Sequence, residues 1–123
     1  MTKDYSQMLY NIIKPLALQK PPVKIYRNRI DEDKNSQPDD YIVYQADISN
    51  TPKVYGDGKT LLRRSNCDIT VNEKGDGNNE KSGYLVNAVE ELLKQNKISY
   101  TKHSSGYIES LDSIQTTFDF YLI

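Results

Sequence analysis

Residues 113–123 read SIQTTFDFYLI, and this stretch decides the fold. Its side chains alternate with a period of two, which is the pattern of a β-strand. One face of this strand carries Thr116, Phe118, Phe120 and Leu122, whereas the other carries Thr117, Asp119, Tyr121 and Ile123. A strand this apolar is unfavourable in water, so we expect it to pair within a sheet. Its second face carries Tyr121 and Ile123, so we expect that this face is not fully hydrated either.

The length of the chain predicts one small domain that covers residues 1–123. Its formal net charge is −1. Acidic and basic residues are interspersed, which disfavours general attraction to nucleic acid or anionic lipid. The single cysteine, Cys67, excludes an internal disulfide. The start of the chain lacks the long apolar run of a signal peptide, and no stretch has the length of a membrane span. We therefore expect a protein made in a reducing cytoplasm.

Tyrosine is unusually frequent, with 10 residues against 2 phenylalanines and no tryptophan. Tyrosine suits half-buried strands and interfaces, because its ring is apolar and its hydroxyl group can stay hydrated. Apolar residues make up only 37% of the chain, which limits its core. A small sheet protein with a thin core explains this composition, and so does a protein whose tyrosine-bearing faces are covered by neighbouring copies.

Two amphipathic helices are predicted where apolar residues recur at steps of three and four. The first covers residues 4–16, and Pro15 is expected to end or kink it. The second follows Ser82, a favourable N-cap residue, and runs to about Gln95.

Strands are predicted at 23–27, 41–48, 61–71 and 113–123, with a further strand beginning at 98–101 and His103 in a hairpin region. Residues 31–40, 51–59 and 72–81 are predicted to be loops or turn-rich connections. The resulting order is α-β-β-β-α-β-β. It predicts an α+β fold, with a mostly antiparallel sheet of about five strands and two helices packed on one face.

No set of residues predicts catalysis. A Ser–His pair needs both side chains on one face, but His103 and Ser104 are neighbours on a strand and point to opposite faces. Cys67 diverges from Asp68 for the same reason, and it lacks a cationic neighbour that would activate its thiol. We therefore expect no enzyme activity.

Three binding motifs are incomplete. Residues 56–60, GDGKT, lack the spacing of a phosphate-binding loop. Asp76, Asn78 and Glu80 alternate like the start of a calcium loop, but the closing ligands are absent. A weak divalent-ion effect at a subunit contact stays open, and no cofactor is expected. The basic run at residues 20–29 is followed directly by acidic residues 31–33, which disfavours a dedicated nucleic-acid face.

Several segments together resemble the tail terminator proteins, also called tail completion or tail-to-head joining proteins, of long-tailed bacteriophages. The features that carry the resemblance are the opening helix at 4–16, the strand at 40–44, the polar strand at 63–71, the helix at 85–93 and the closing strand at 118–122. The resemblance covers nearly the whole chain in element order and size. It rests on this pattern, since the family has no catalytic motif to match.

The resemblance implies a structural protein that assembles as a hexameric ring at the head-proximal end of the tail tube. Such a ring stops tube polymerisation and presents a surface to the head connector, while DNA passes through its lumen without sequence-specific contact. The implied partners are further copies of the chain, the major tail tube protein and the head connector or head-closure protein. The implied location is the tail–head junction of the virion, after synthesis in the host cytoplasm, with no membrane contact.

The turn-rich segments at residues 51–60 and 72–81 are the predicted docking elements for the tail tube or the head connector. The predicted interface residues are Lys53, Tyr55, Asp57, Lys59, Arg63, Arg64, Lys74, Asp76, Asn78 and Lys81. Two alternatives remain at this point. The first is another head–tail connector or neck component with the same fold. The second is a small nucleic-acid-binding α+β module, whose binding to DNA would depend on salt.

Overall fold

A computed structural model of the chain describes residues 4–20, 22–30, 38–46, 51–55, 59–78, 80 and 82–122, with the backbone alone in 51–55 and 59–64. The helices are α1 (Tyr5–Leu18) and α2 (Tyr84–Gln95), and a 3-10 turn covers Glu109–Leu111. The strands are β1 (Lys24–Arg27), β2 (Tyr41–Ala46), β3 (Thr51–Tyr55), β4 (Lys59–Lys74), β5 (Tyr100–Ile108) and β6 (Ser113–Leu122).

The strands are ordered β1-β2-β4-β6-β5, and β3 pairs with the first part of β4. β1 and β2 run parallel, whereas the other pairs are antiparallel. β4 is the longest strand and lies at the centre, between β2 and β6. The predicted α+β fold, with a mostly antiparallel sheet and two helices on one face, is confirmed.

One face of the sheet forms the core with both helices. β6 buries Thr116, Phe118, Phe120 and Leu122 on this face, as its alternation predicts. β4 contributes Ser65, Cys67, Ile69 and Val71, which lie opposite the buried residues of β6. The buried side chains of the helices are Tyr5, Leu9, Ile13 and Leu16 of α1 and Leu85, Val86, Val89 and Leu93 of α2. Cys67 is one of these core residues, consistent with a small buried hydrophobic group.

β3 occupies part of a segment that is predicted to be a turn-rich connection, so that prediction is wrong for residues 51–55. The strand contains Pro52, which has no N–H group to donate to a ladder. β3 pairs with β4 alone among the described residues, and a strand with one free edge tolerates proline. β4 is also longer than predicted, since it begins at Lys59 and ends at Lys74.

His103 lies inside β5, so its predicted place in a hairpin is wrong. β5 continues because β6 pairs with it along most of its length, with an irregularity between Ser104 and Tyr107.

A carboxylate on α2 also holds this edge strand. Glu90 accepts hydrogen bonds from the Tyr100 hydroxyl at 2.7 Å and from the Lys102 ammonium group at 2.5 Å. These two bonds, first that of Lys102 and then that of Tyr100, lower the pKa of Glu90.

α1 runs through Pro15 and ends at Leu18, so the proline does not end the helix as predicted. Pro15 is exposed, and the apolar face of the helix remains continuous on both sides of it. At the start of the helix, the carboxylate of Asp4 accepts a hydrogen bond from the backbone N–H of Gln7 at 3.0 Å. Asp4 is therefore a conventional N-cap.

The start of α2 differs from the prediction. Its N-cap residue is Gly83 in a left-handed conformation at φ 82°, and Ser82 does not cap the helix. Glu73, at the end of β4, supplies the missing acceptor, because its Oε2 atom accepts a hydrogen bond from the N–H of Leu85 at 3.2 Å. A carboxylate near a helix N-terminus also interacts favourably with the helix dipole. Burial nevertheless raises the pKa of Glu73.

We expect the substitution Phe118→Ala to lower the free energy of unfolding by about 3–5 kcal/mol, because it leaves a cavity in a packed core. Phe118 has no exposed surface, and its ring contacts Tyr100 edge-to-face with centroids 5.3 Å apart. Urea unfolding followed by circular dichroism measures the change. Tyr121→Ala, on the opposite face of the same strand, is the control and should cost less than about 1 kcal/mol. Equal losses in the two variants would contradict the assignment of the faces.

We expect Glu73→Ala to destabilise the protein by about 1 kcal/mol, as for the loss of a helix cap, whereas Ser82→Ala leaves stability unchanged within about 0.5 kcal/mol. Glu73→Gln keeps an acceptor oxygen and should recover part of the loss. Chemical denaturation of the three variants checks this. A larger effect at Ser82 than at Glu73 would restore the capping role that the sequence predicts for Ser82.

Candidate interaction surfaces

The second face of the sheet has no helix or strand over it among the described residues. The strand registers arrange its side chains in rows across the sheet. One row contains Tyr26, Val43, Thr70, Thr117 and His103. The rows beside it contain Lys24, Tyr41, Asn72 and Gln115 on one side, and Gln45, Asp68, Asp119 and Thr101 on the other. We call this surface the open face.

The β1–β2 side of the open face is aromatic and partly apolar. Tyr26 and Tyr41 meet edge-to-face with ring centroids 6.0 Å apart, and Val43 lies beside them on β2. All three side chains are half-buried. Further along the row of Tyr26 and Val43, the hydroxyl groups of Thr70 on β4 and Thr117 on β6 lie 3.2 Å apart. This combination of rings, a branched aliphatic side chain and hydroxyl groups is typical of surfaces that become covered in protein contacts.

Two carboxylates lie opposite each other on the same face. Asp68 on β4 pairs in register with Asp119 on β6, and like charges in that arrangement are unfavourable. Burial, and after it the charge of Asp119, raises the pKa of Asp68. The imidazole Nε2 atom of His103 lies 3.7 Å from a carboxylate oxygen of Asp119. A shallow groove runs past these groups, and Asn66, Asp68, Thr101, Asp119 and Tyr121 line it.

The predicted interface residues fall into two groups. Lys53, Tyr55, Lys59, Arg63 and Arg64 belong to the hairpin of β3 with the first part of β4. This hairpin extends past the main sheet, because the pairing of β4 with β6 begins only at Ser65. We call this region the hairpin end. Asp57 and Lys81, which are also predicted interface residues, lie outside the described residues.

The second group, Lys74, Asp76 and Asn78, lies at the other end of β4. There the backbone N–H of Lys74 donates to the Asp40 carboxylate at 2.9 Å, and that of Gly75 donates to the carbonyl oxygen of Asp112 at 2.8 Å. The Asp76 carboxylate accepts bonds from both the backbone and the side-chain amide of Asn78. We call this region, with the β5–β6 connection and the start of α2, the loop end.

A tight turn holds the loop end against the sheet. Gly77 has φ 91°, and a Cβ atom at that position would lie 3.2 Å from the Ile114 side chain. On the neighbouring strand, the Tyr107 hydroxyl donates to the Asp112 carboxylate at 2.7 Å. The described part of the loop end is therefore internally bonded, although the sequence predicts a turn-rich loop at 72–81.

The two groups of predicted residues are far apart. β4 runs from Lys59 to Lys74, and at about 3.3 Å per residue this separates its ends by roughly 50 Å. A single contact with a small partner therefore cannot engage both groups. The sequence identifies the charged residues of the turns, but it does not show that they belong to opposite ends of one strand.

Three further interface candidates are absent from the sequence-based set. Tyr107 and Leu111 at the loop end are 46% and 50% exposed, and Tyr121 on the open face is 53% exposed. The alternation of β6 places Tyr121 on the less buried face, so its exposure could have been predicted. No periodic pattern marks Tyr107 or Leu111, since both depend on where β5 ends.

The structure brings no catalytic arrangement together among the described residues. Ser104 lies on the face opposite His103, and Cys67 is buried in the core. Within the described part of the chain, no group of three or more histidine, cysteine, aspartate or glutamate side chains is placed to hold a metal ion. Asp76 and Asn78, from the incomplete calcium motif, bond to each other.

Comparison with known proteins adds no assignment. No family model, no curated protein and no solved structure matches this chain. Among the described residues, neither helix has the length and apolar character needed to cross a bilayer. The functional interpretation therefore rests on the surfaces described above.

We expect Asp68→Asn to stabilise the protein at pH 7 by less than about 1 kcal/mol, because it removes a partly buried charge that faces Asp119. A raised folded-state pKa means that the folded state holds the Asp68 proton more tightly than the unfolded state. Stability from this group is therefore present at acid pH, and it is lost as pH rises from about 3.9 through the folded pKa.

The free energy of unfolding, measured by urea titration between pH 3 and pH 7, checks this sign. The advantage of Asp68→Asn should grow as pH rises across the acid range. Asp119→Asn is the matched control, and its gain should be smaller because Asp119 is only the second cause of the shift. A destabilised Asp68→Asn with a loss independent of pH would contradict the interpretation.

Proposed function

We propose that this chain is the subunit of a ring that caps the head-proximal end of a phage tail tube, ends tube polymerisation and joins the tail to the head connector. The observation that carries the proposal is the open face of the sheet, which no helix or strand covers in the described part of the chain. Neither helix protects it, and it bears half-buried tyrosines, a valine and an exposed Tyr121. A second copy or a partner that covers this face would bury apolar area that the single chain leaves hydrated.

The one-sided core also supports an assembly role. The helices contribute apolar stripes to a single face of the sheet, so the fold has one packed layer of side chains between helices and strands. A thin core limits the stability of the isolated chain. Contacts between copies would add to that stability, as they do in many oligomers. The ring number of six comes from the resemblance to tail terminators and not from the fold.

The nucleic-acid-binding alternative is less well supported. Two carboxylates, those of Asp68 and Asp119, line the groove on the open face, and they would repel a phosphate backbone. Basic residues do lie at the hairpin end, but they belong to a narrow two-stranded ribbon and not to a broad surface. A head–tail connector other than a tail terminator would share this fold and differ in its partner.

The first test is the solution mass of the purified chain, measured by light scattering over a concentration series with and without Mg²⁺. The proposal expects a discrete species near six subunits, or a monomer that converts to one. The second test adds the chain to polymerising tail tube protein and measures tube length by electron microscopy. Tubes should become shorter as the ratio of chain to tube protein rises. A chain that leaves tube length unchanged but binds head connector would move the proposal to the connector class.

We expect Tyr121→Glu to abolish capping while the monomer stays folded, because it places a charge on a surface that must be desolvated in the contact. Tyr121 is 53% exposed in the single chain, so its replacement leaves the core intact. Glu91→Lys, on the exposed side of α2, is the matched control and should cap normally. Normal capping by folded Tyr121→Glu would remove the open face from the contact.

A further inference from the structure

β5 forms one edge of the main sheet. The strand order ends at β5, which pairs with β6 on one side, and no described strand pairs with its other side. β5 has 9 residues, whereas β1 at the opposite edge has 4. Every residue of β5 from Thr101 to Tyr107 is exposed. An exposed edge of this length is a template for pairing with a further strand.

One hydrogen bond shows the direction of the backbone groups in this part of the sheet. The N–H of Gln115 on β6 donates to the hydroxyl of Ser105 at 3.1 Å, so it points toward β5. Backbone groups alternate in direction along a regular strand, and the ladder of β6 with β4 is regular along its whole length. The N–H groups of Thr117 and Asp119 therefore point toward β5 as well.

The outward groups of β5 follow from its register with β6. The residues opposite Thr117 and Asp119 are His103 and Thr101, so the backbone groups of these two residues pair with β6. The residues beside them, Tyr100, Lys102 and Ser104, direct their N–H and C=O groups away from the sheet. In the part of the chain that the structure describes, nothing bonds to these outward backbone groups.

A β-bulge limits the edge that a further strand can use. The ladder with β6 is interrupted between Ser104 and Tyr107, where β5 has one residue more than β6. Gly106, in this stretch, has φ 73°, in the left-handed region. A bulge bends its strand, so the regular edge of β5 is Tyr100–Ser104.

The charged side chains of the regular edge are held over the two faces of the sheet. Exposed edge strands are often protected by lysine and other charged side chains. The ammonium group of Lys102 is instead bonded to Glu90 of α2, and Nε2 of His103 lies 3.7 Å from a carboxylate oxygen of Asp119 on the open face. The two side chains therefore lie over opposite faces and leave the backbone edge between them accessible.

The helix side of this edge has an excess of positive charge. The hydrogen bond from Lys102, and after it the bond from Tyr100 and the charge of Lys94, lower the pKa of Glu90. Two ammonium groups therefore act on one carboxylate. A second carboxylate beside Lys102 would balance the remaining charge, and opposite charges in cross-strand pairs stabilise a sheet.

We propose that the edge of β5 at Tyr100–Ser104 receives an extended strand of a partner protein, with a carboxylate of that strand beside Lys102. In this mode of binding, backbone hydrogen bonds to the outward groups supply the affinity, and side chains at alternate positions supply the specificity. The proposed function uses the open face of the sheet, so this edge is a separate contact that goes beyond it.

The β5 strand of a second copy is a poor occupant of this edge. Two copies that pair antiparallel along the whole of Tyr100–Ser104 are centred on Lys102, so each Lys102 lies opposite the other. Like charges directly opposite each other destabilise a sheet. A different centre would move one strand into the bulge or leave part of the edge unpaired. A partner strand that carries a carboxylate avoids both problems.

An NMR titration of the isotope-labelled chain with short peptides tests the proposal. The probe is a capped peptide of valine and threonine with a central aspartate, equal in length to the edge. The backbone amides of Lys102 and Ser104 should shift, whereas those of β1 should not. The matched peptide with a central lysine should bind about threefold more weakly or worse at low salt, and the difference should shrink at high salt.

A blocked peptide separates the ladder from the charge. It keeps the central aspartate but is methylated at its backbone nitrogens, so it cannot donate to the outward carbonyl groups. It should leave the amides of Lys102 and Ser104 unshifted. Equal binding by the blocked and unblocked peptides would show that no strand is added, and would overturn the proposal.

A pair of lysine variants tests the role of Lys102. Lys102→Ala should bind the aspartate and lysine peptides equally, because the ladder remains and the charge is removed. Lys14→Ala, on the exposed side of α1, is the matched control and should keep the preference for aspartate. Circular dichroism confirms that each variant is folded. If Lys102→Ala is unfolded, the blocked peptide and the wild type still decide whether a strand is added.

The remaining outcomes also decide the proposal. Unchanged β5 amides at millimolar peptide overturn it. Shifts of Lys102 and Ser104 that grow with the concentration of the chain alone, and that the peptides do not reverse, would make a second copy the occupant and overturn it as well. The titration needs no tail tube protein, so its failure leaves the proposed function in place, and a failure to cap tubes leaves this inference in place.

Discussion

The structure depends on the register between β4 and β6. Ten residue pairs join these strands, from Ser65 opposite Leu122 to Lys74 opposite Ser113. Because side chains alternate along a strand, a slip of one residue would exchange the two faces. It would carry Asp119 into the core and Phe118 onto the open face. Burying Asp119 and exposing Phe118 would cost free energy, so this register is strongly favoured. The strands that pair with β4 and β6 take their positions from it.

The features that could be predicted from the sequence are those that repeat with the period of a strand or of a helix. β6 alternates from Thr116 to Leu122, so the sequence pattern predicts which of these side chains are buried, whereas the burial of Ser113 does not follow from it. The helical stripes place both helices on one face. β3 could not be predicted, because Pro52 and the nearby glycines favour a turn and only pairing with β4 makes the segment a strand. His103 lies in a run of polar residues with no alternation, so β5 depends on β6 and on Glu90 of α2.

The start of α2 shows why local motifs are incomplete guides. Ser82 has the side chain of a good cap, but Gly83 adopts the left-handed conformation that begins the helix. The acceptor comes instead from Glu73, a residue on another element. A carboxylate from a neighbouring strand can replace a cap because the helix needs only an acceptor near its first N–H groups. Glu73 is far from the helix in the sequence, so no local motif indicates that it supplies the acceptor. The sequence therefore predicts the boundary of the helix well but not the chemistry of its cap.

The candidate surfaces could be predicted as residue types but not as an arrangement. Lysines, arginines and aspartates in turn-rich segments indicate contact surfaces, since such segments are exposed. Their separation follows only from the length of β4, which extends beyond the sheet at one end and into the glycine turn at the other. In the described part of the chain, the first residues of β4 pair with β3 alone, so one side of this extension carries no ladder. A strand edge without a ladder is a template for pairing with a further strand, so the extension of β4 is a place in the described sheet where another strand can add.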